Sequence, residues 1–259
     1  MISLGELCQW IGERAVQLGV DIFPGFPAQN YLLDKNGRVC GIATGDMGLD
    51  KQGKQKGTWT PGMDIYAKQT IFAEGSRGHL GKQLIKEFNL DKGKTPQHYA
   101  IGFKEIWEVD TEKHSPGNVL HTIGWPLNKG TSGGGFLYHF SDNRIAVGLI
   151  VDLNYNNPHH SPFQEFQQYK QHPKIKQFLE SGKRVSYGAR AITKGGFHSL
   201  VKMDFDGGMI IGCNAGTLNP GKIKGSHCAL QSGILAAEYV NNILCLLYTS
   251  PSPRDGLLS

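Results

Sequence analysis

A chain of 259 residues can bury a sizeable core and has room for one large domain or two small ones. Its net charge of +5 comes from 27 Lys and Arg against 22 Asp and Glu. The basic residues are scattered, which argues against a nucleic-acid binder and leaves at most a weak preference for acidic partners or anionic lipid.

Taken in order, Ser3 and Glu6 form a capping box ahead of Leu4, Leu7, Ile11, Ala15 and Leu18 at helical spacing. Residues 4–18 therefore read as a helix closed by Gly19. Residues 20–23 read as a short strand, and 29–33 with 38–43 as a hairpin around Asn36-Gly37. The polar, Gly/Lys-rich stretch 47–62 reads as a surface loop, and 64–72 as a strand. That strand ends in Ala73-Glu74-Gly75-Ser76-Arg77-Gly78, and a helix follows with Leu80, Leu84 and Phe88 on one face.

From residue 97 the segments 100–109, 119–125, 135–140 and 144–153 alternate in polarity and are rich in aromatics. They predict an antiparallel sheet of about four strands. Residues 162–170 and 174–180 read as short helices against it, and 184–192 as a further strand. Apolar residues 209–211 then form a short strand, a Gly- and Pro-rich loop follows, and 226–244 reads as a long helix. Residues 245–259 break from that helix. Their Tyr248–Asp255 stretch, YTSPSPRD, resembles translated adaptor sequence and is set aside as a non-native tail.

Five cysteines, Cys8, Cys40, Cys213, Cys228 and Cys245, form no CxxC pair and suit reduced intracellular thiols with no local metal site. No apolar run approaches the roughly 20 residues of a membrane-spanning helix. The first residues carry no signal pattern and read as the interior of a protein. Thirty-five glycines exceed the typical share of about 7 % and mark loops of positive φ or close backbone approach.

Two strand–glycine loop–helix units, at 64–88 and 207–244, point to a doubly wound nucleotide-binding domain. The 211–225 loop suits backbone N–H groups and a positive helix end aimed at an anionic or electron-rich ligand, or else is a tight connection with no ligand. No G-x-G-x-x-G occurs, so the usual pyrophosphate fingerprint is absent from the chain. Gly133, Gly134 and Gly135 lie between aromatic segments. They suit either a flat ring bonded by backbone N–H groups and walled by Trp125, Phe136 and Tyr138, or a flexible hairpin tip.

His121 and His139 read as half-buried side chains and His159-His160 as a solvated loop pair, with no zinc-ligand spacing. Hydrolysis has no nucleophile elbow. Lys222 and Lys224 add positive charge beside the last helix, or else lie in a solvated loop.

The segments SLGELCQWIGERAVQLGV, TIFAEGSRGHLGKQL, HTIGWPLNKGTSGGGFLYH, NPHHSPFQEFQQYKQHPKI, GKRVSYGARAITKGGF and IIGCNAGTLNPGKIKGSHCALQSGILAAE together resemble an internal portion of the electron-transfer flavoprotein–ubiquinone oxidoreductase family. The resemblance implies a FAD enzyme that passes electrons from reduced electron-transfer flavoprotein to ubiquinone. Such an enzyme lies peripherally on the inner mitochondrial membrane, matrix side, or the bacterial inner membrane, cytoplasmic side. It also implies a [4Fe–4S] cluster whose ligands lie outside this chain.

Carried over by position, Ala73, Glu74, Gly75, Gly212, Cys213, Gly216, Asn219 and Gly225 fall at the FAD, and Gly133 and Gly134 at the quinone head group. Cys213 stands where many related flavoproteins have aspartate, and cannot make an aspartate's bonds to ribityl hydroxyls. The implied fold class is α/β plus α+β, a partial doubly wound FAD-binding domain with an inserted antiparallel-sheet ubiquinone-binding domain. Its parts are 1–96 and 201–244 for FAD, 97–200 for the quinone, and 245–259 for the tail.

Because the fingerprint and cluster cysteines are missing, the chain alone is expected to bind FAD poorly and to hold no cluster. The competing readings are a geranylgeranyl-reductase-like or monooxygenase-like flavoprotein and, in another class, a non-catalytic quinone- or lipid-binding module.

Overall fold

The computed structural model describes residues 3–222 and 224–248. It comprises two compact units: Met1–Pro24 with His98–Ile192, and Gly25–Gln97 with Thr193–Ser259. The part of the tail beyond Tyr248 lies outside the described residues.

Helix α1 is Leu4–Gln17; the Ser3 hydroxyl accepts the Glu6 N–H, and Gly19 follows the C-cap at φ +88°, the left-handed conformation glycine adopts at low cost. None of its residues is buried. The strand expected at 20–23 is not formed, because no neighbouring strand pairs with it among the described residues.

In the second unit, β1 (Ala28–Leu33) and β2 (Val39–Thr44) form the expected hairpin. The 47–62 stretch is more ordered than its polarity suggested: β3 (Met47–Leu49) pairs antiparallel with β4 (Gln55–Thr60). The single strand expected over 64–72 is two, β5 (Asp64–Tyr66) against β2 and β6 (Thr70–Phe72) in another sheet. Helix α2 is His79–Glu87, with Leu80 and Leu84 fully buried.

The first unit carries one five-stranded antiparallel sheet with β7 (Tyr99–Glu108), β8 (Val119–Ile123), β9 (Gly133–Phe140), β10 (Arg144–Asp152) and β11 (Lys183–Thr193), in the order β11-β7-β10-β9-β8. Two helices, α3 (Pro162–Gln171) and α4 (Pro173–Leu179), supply Phe166, Tyr169, Ile175 and Leu179 to a core with Leu137, Ile145, Val147, Leu149 and Val151. Period-two alternation along β9 sends Leu137 and His139 into this core and leaves Phe136 and Tyr138 on the other face.

Across this core Glu105, 2 % exposed, accepts from Lys170 Nζ at 2.8 Å, Arg184 Nη1 at 3.2 Å and Trp107 Nε1 at 2.8 Å. Burial pushes its carboxyl up, but the bonds from Lys170, Trp107 and Arg184 outweigh that and leave it below the usual carboxylate range.

The chain then completes the second unit with β12 (Asp204–Phe205), β13 (Gly208–Ile210) and α5 (Ser226–Tyr248). Strand β13 pairs parallel with β6, Met209 opposite Ile71, and antiparallel with β12. Val39, Phe72, Leu80, Leu84, Leu90 and Ile210 form the core beneath.

Candidate functional site

In the second unit, β6 and β13 are parallel neighbours, so the chain leaves both at the same sheet end. Open α/β sheets bind ligands at this carboxyl end, between adjacent loops. The first loop runs from Ala73 to Gly78 into α2, the second from Ile211 to Gly225 into α5. A hydrogen bond from Ile211 N–H to the Phe72 carbonyl, 3.0 Å, fixes the second loop at its root.

Glu74 has a specific local task. Its carboxylate accepts the Leu80 N–H at 3.1 Å and the Gly81 N–H at 2.6 Å. It thereby caps α2, whose N-cap residue Gly78 has no side chain to do so. A Cβ on Gly81 would lie 2.7 Å from Asn214 Nδ2, so glycine there admits Asn214 from the second loop. Asn214, 8 % exposed, donates to the Phe72 carbonyl at 3.4 Å. The buried Thr193 hydroxyl lies 2.8 Å from Ser76 Oγ and 3.1 Å from the Cys213 carbonyl, joining the two loops through one residue.

The second loop turns on Gly212, at φ +61°, whose carbonyl accepts the N–H groups of Ala215, Gly216 and Thr217 at 3.0, 3.2 and 3.2 Å. Gly216 sits at φ +94°. Asn219 closes the next turn, exchanging backbone hydrogen bonds with Lys224 and accepting the Lys222 N–H on Oδ1. Gly225 gives its carbonyl to Ala229 N–H at the start of α5. Burial, and then the neighbouring Cys228, push the Cys213 thiol up, so it stays protonated at neutral pH.

Thr217 was not singled out from the sequence. Its Oγ1 is buried with no partner among the described residues, and an orphaned buried hydroxyl in a glycine-rich loop is the donor a ligand's polar atom would satisfy. Nothing in the sequence distinguished it, because a threonine in a loop is ordinary until its burial is known. The loops thus bring together Ala73, Glu74, Gly75, Gly212, Cys213 and Gly216, with Asn219 and Gly225 closing the connection to α5. Backbone turns at positive φ and the unpartnered Thr217 hydroxyl are features of these loops that suit a ring system with polar edges such as a flavin.

In the first unit, Gly133 pairs with Val151, and Gly134 with both Ile150 and Ile123. Strand β8 ends opposite Gly134, so at Gly133 the sheet has one neighbour instead of two. A Cβ on Gly134 would come 2.6 Å from the Thr122 carbonyl. The third glycine has a different cause: a Cβ on Gly135 would lie 2.6 Å from the Tyr169 hydroxyl oxygen, so Gly135 is the seat of a buried tyrosine ring.

The aromatics expected to wall a cavity divide. Phe136 and Tyr138 stack at 4.8 Å, while Trp125 lies beside His172 at 5.2 Å. Tyr138 hydroxyl bonds His121 Nε2 at 2.6 Å. His139 is fully buried, its Nδ1 accepting the Ser115 N–H at 3.1 Å. No group of three or more His, Cys, Asp or Glu able to hold a metal occurs among the described residues.

The family model described as ETF-QO, ubiquinone-binding, matches residues 99–192, the sheet of the first unit. A Pseudomonas aeruginosa protein, electron transfer flavoprotein-ubiquinone oxidoreductase, is 60 % identical over 245 residues, which is 94 % of this chain and 44 % of the relative. The mitochondrial human protein of that name is 51 % identical over 246 residues, 94 % of this chain and 40 % of the relative.

Among solved structures, a geranylgeranyl bacteriochlorophyll reductase-like protein of Thermoplasma acidophilum superposes with a TM-score of 0.69 at 17 % identity, covering 95 % of this chain and 55 % of that one. A flavin-dependent brominase gives 0.64 at 16 %, covering 93 % and 55 %. At these identities the structural likenesses show the fold, mixed α/β plus α+β as the sequence implied. The chain spans less than half the length of the curated relatives it matches. High identity sustained over nearly all of the chain, with the matched quinone-binding sheet inside it, places it in the electron-transfer flavoprotein–ubiquinone oxidoreductase family.

Proposed function

We propose that this chain forms part of a flavoenzyme that takes electrons from reduced electron-transfer flavoprotein and delivers them to ubiquinone. On this reading the Ala73–Gly78 and 211–225 loops hold FAD, and the sheet around Gly133 and Gly134 holds the quinone head group. The observation that carries it is the paired loop structure at one end of two parallel strands, with glycines at positive φ and the unpartnered Thr217 hydroxyl.

FAD, when bound, supplies the redox centre that accepts and passes on the electrons. The chain's own contribution is electrostatic and geometric. Gly212 and Gly216, at positive φ, give the loop the turns that would lay its backbone along the ring, and the Thr217 hydroxyl would donate to its polar edge. The N-terminal turn of α5 favours negative charge that builds on reduction. Glu74 acts one step back: its carboxylate is committed to α2, so it holds the first loop rather than placing a free anion against the cofactor. At the quinone, backbone N–H groups near Gly133 steady the carbonyl oxygen as it gains charge.

A [4Fe–4S] cluster belongs to the longer protein on this reading. Membrane contact is peripheral, at the inner mitochondrial or bacterial inner membrane; no helix among the described residues is long and apolar enough to cross a bilayer.

The test replaces the aligned stretch of the Pseudomonas relative with this chain and follows flavin absorbance. Reduction by reduced electron-transfer flavoprotein followed by reoxidation with a short-tailed ubiquinone is the expected result. Flavin that reoxidises with oxygen but not with quinone favours a reductase or monooxygenase. Quinone binding without flavin uptake favours a carrier.

A further inference from the structure

We propose that Ser232, on the second turn of α5, is a positioning residue: its hydroxyl locks the Gly212 turn to the helix, and this lock sets how much more tightly reduced flavin is held than oxidised flavin. The inference rests on the flavin reading above.

Ser232 is 7 % exposed. Its Oγ donates to the Ala229 carbonyl at 2.7 Å and accepts the Gly212 N–H at 3.0 Å. A helical serine that bonds back to its own preceding turn gains little for the helix. What it gains here is a fixed lone pair aimed across at the loop. Gly212 in turn is the pivot of its loop, because its carbonyl gathers the N–H groups of Ala215, Gly216 and Thr217. A Cβ at Gly212 would stand 3.6 Å from that of Ala229, so the turn faces the first turn of α5 across a gap of about one methyl group, and the Ser232 bond fixes their register.

Through that one hydroxyl the orphaned Thr217 Oγ1 and the N-terminal turn of α5 keep a set geometry. Both favour the more negative, reduced ring over the oxidised one. Removing the hydroxyl leaves the Gly212 N–H buried and unpaired, which the turn relieves by shifting. The loss falls mainly on the reduced state, where the preorganised dipoles matter most.

Two measurements test this. In the 259-residue chain alone, amide hydrogen exchange at Gly212 should accelerate at least tenfold in Ser232→Ala and recover in Ser232→Thr, which keeps the hydroxyl. In the Pseudomonas graft, Ser232→Ala should weaken reduced relative to oxidised flavin by about tenfold, a midpoint about 30 mV lower for a two-electron couple. Ser232→Thr should return towards the parent value. Leu90→Ala, a core truncation in the same unit that leaves the Ser232–Gly212 hydrogen bond intact, should lower stability and leave the midpoint in place.

An unchanged midpoint in Ser232→Ala, or an equal shift in Leu90→Ala, overturns the positioning role. A parent graft that takes up no flavin overturns the flavin reading itself, and with it this inference.

Discussion

Gly135→Ala tests the packing beneath the glycine segment. The new Cβ would sit 2.6 Å from the Tyr169 hydroxyl oxygen and 2.7 Å from Cε2, against ordinary contacts of about 3.5–4 Å, so the ring must retreat by about 1 Å. Tyr169 is 2 % exposed and packed in the sheet–helix core, and its hydroxyl accepts from Thr122 Oγ1 at 3.0 Å.

Overpacking of this kind costs about 1–3 kcal/mol, and a stretched or broken hydrogen bond adds about 0.5–1.5 kcal/mol. A loss of about 2–4 kcal/mol is therefore expected. Urea unfolding of the 259-residue chain, followed by tyrosine and tryptophan fluorescence, measures it. In a Tyr169→Leu background, which shortens the obstructing side chain, the cost of Gly135→Ala should fall below about 1 kcal/mol. Equal costs in both backgrounds, or none in either, would refute the account of Gly135 as the seat of the ring.

Three further outcomes follow from the same contacts. Glu74→Ala removes the carboxylate from the Leu80 and Gly81 N–H groups and should destabilise the second unit by about 1–2 kcal/mol; unchanged helix protection in amide exchange would contradict the cap. Thr217→Val removes an unpartnered buried hydroxyl, so the ligand-free chain should be as stable as the parent or up to about 1 kcal/mol more so, while the graft's flavin affinity drops; equal affinity would remove Thr217 from the site.

Glu105 titrates below its ordinary value in the folded chain. Its stabilisation is therefore complete above the unfolded carboxylate pKa and is lost as pH falls through the folded one. Glu105→Gln should cost about 3–5 kcal/mol at pH 7, since it leaves Lys170 buried without a counter-charge. It should also flatten the acid limb of the stability–pH curve; an acid limb as steep as the parent's would count against the ion cluster.

Much of this architecture was legible in the order of residues. Helix α1, its Ser3 cap and Gly19 stop, the hairpin at Asn36-Gly37 and the four sheet segments follow from periodicity and turn chemistry, which act locally. The two strand–glycine loop–helix units were visible for the same reason. The two strands hidden in 47–62 were not: Met47–Leu49 is only three residues long and Gln55–Thr60 is mostly polar, and they pair only because each is the other's neighbour. The break between Asp64–Tyr66 and Thr70–Phe72 was equally silent, since a stretch with no Gly or Pro between its halves cannot announce that they join different sheets.

The site divides in the same way. The sequence by itself determined that glycines would line two loops and one strand, because backbone conformation and close approach are written in the residue type. Only the tertiary structure decided what each glycine makes room for: Asn214 at Gly81 and the Tyr169 ring at Gly135. It also decided that Glu74 is spent on a helix end, that Thr217 is left with an unanswered hydroxyl, and that Ser232, twenty residues further along the chain, closes on Gly212. Such assignments depend on which atoms meet across long stretches of chain, and residue type and local spacing carry no record of that.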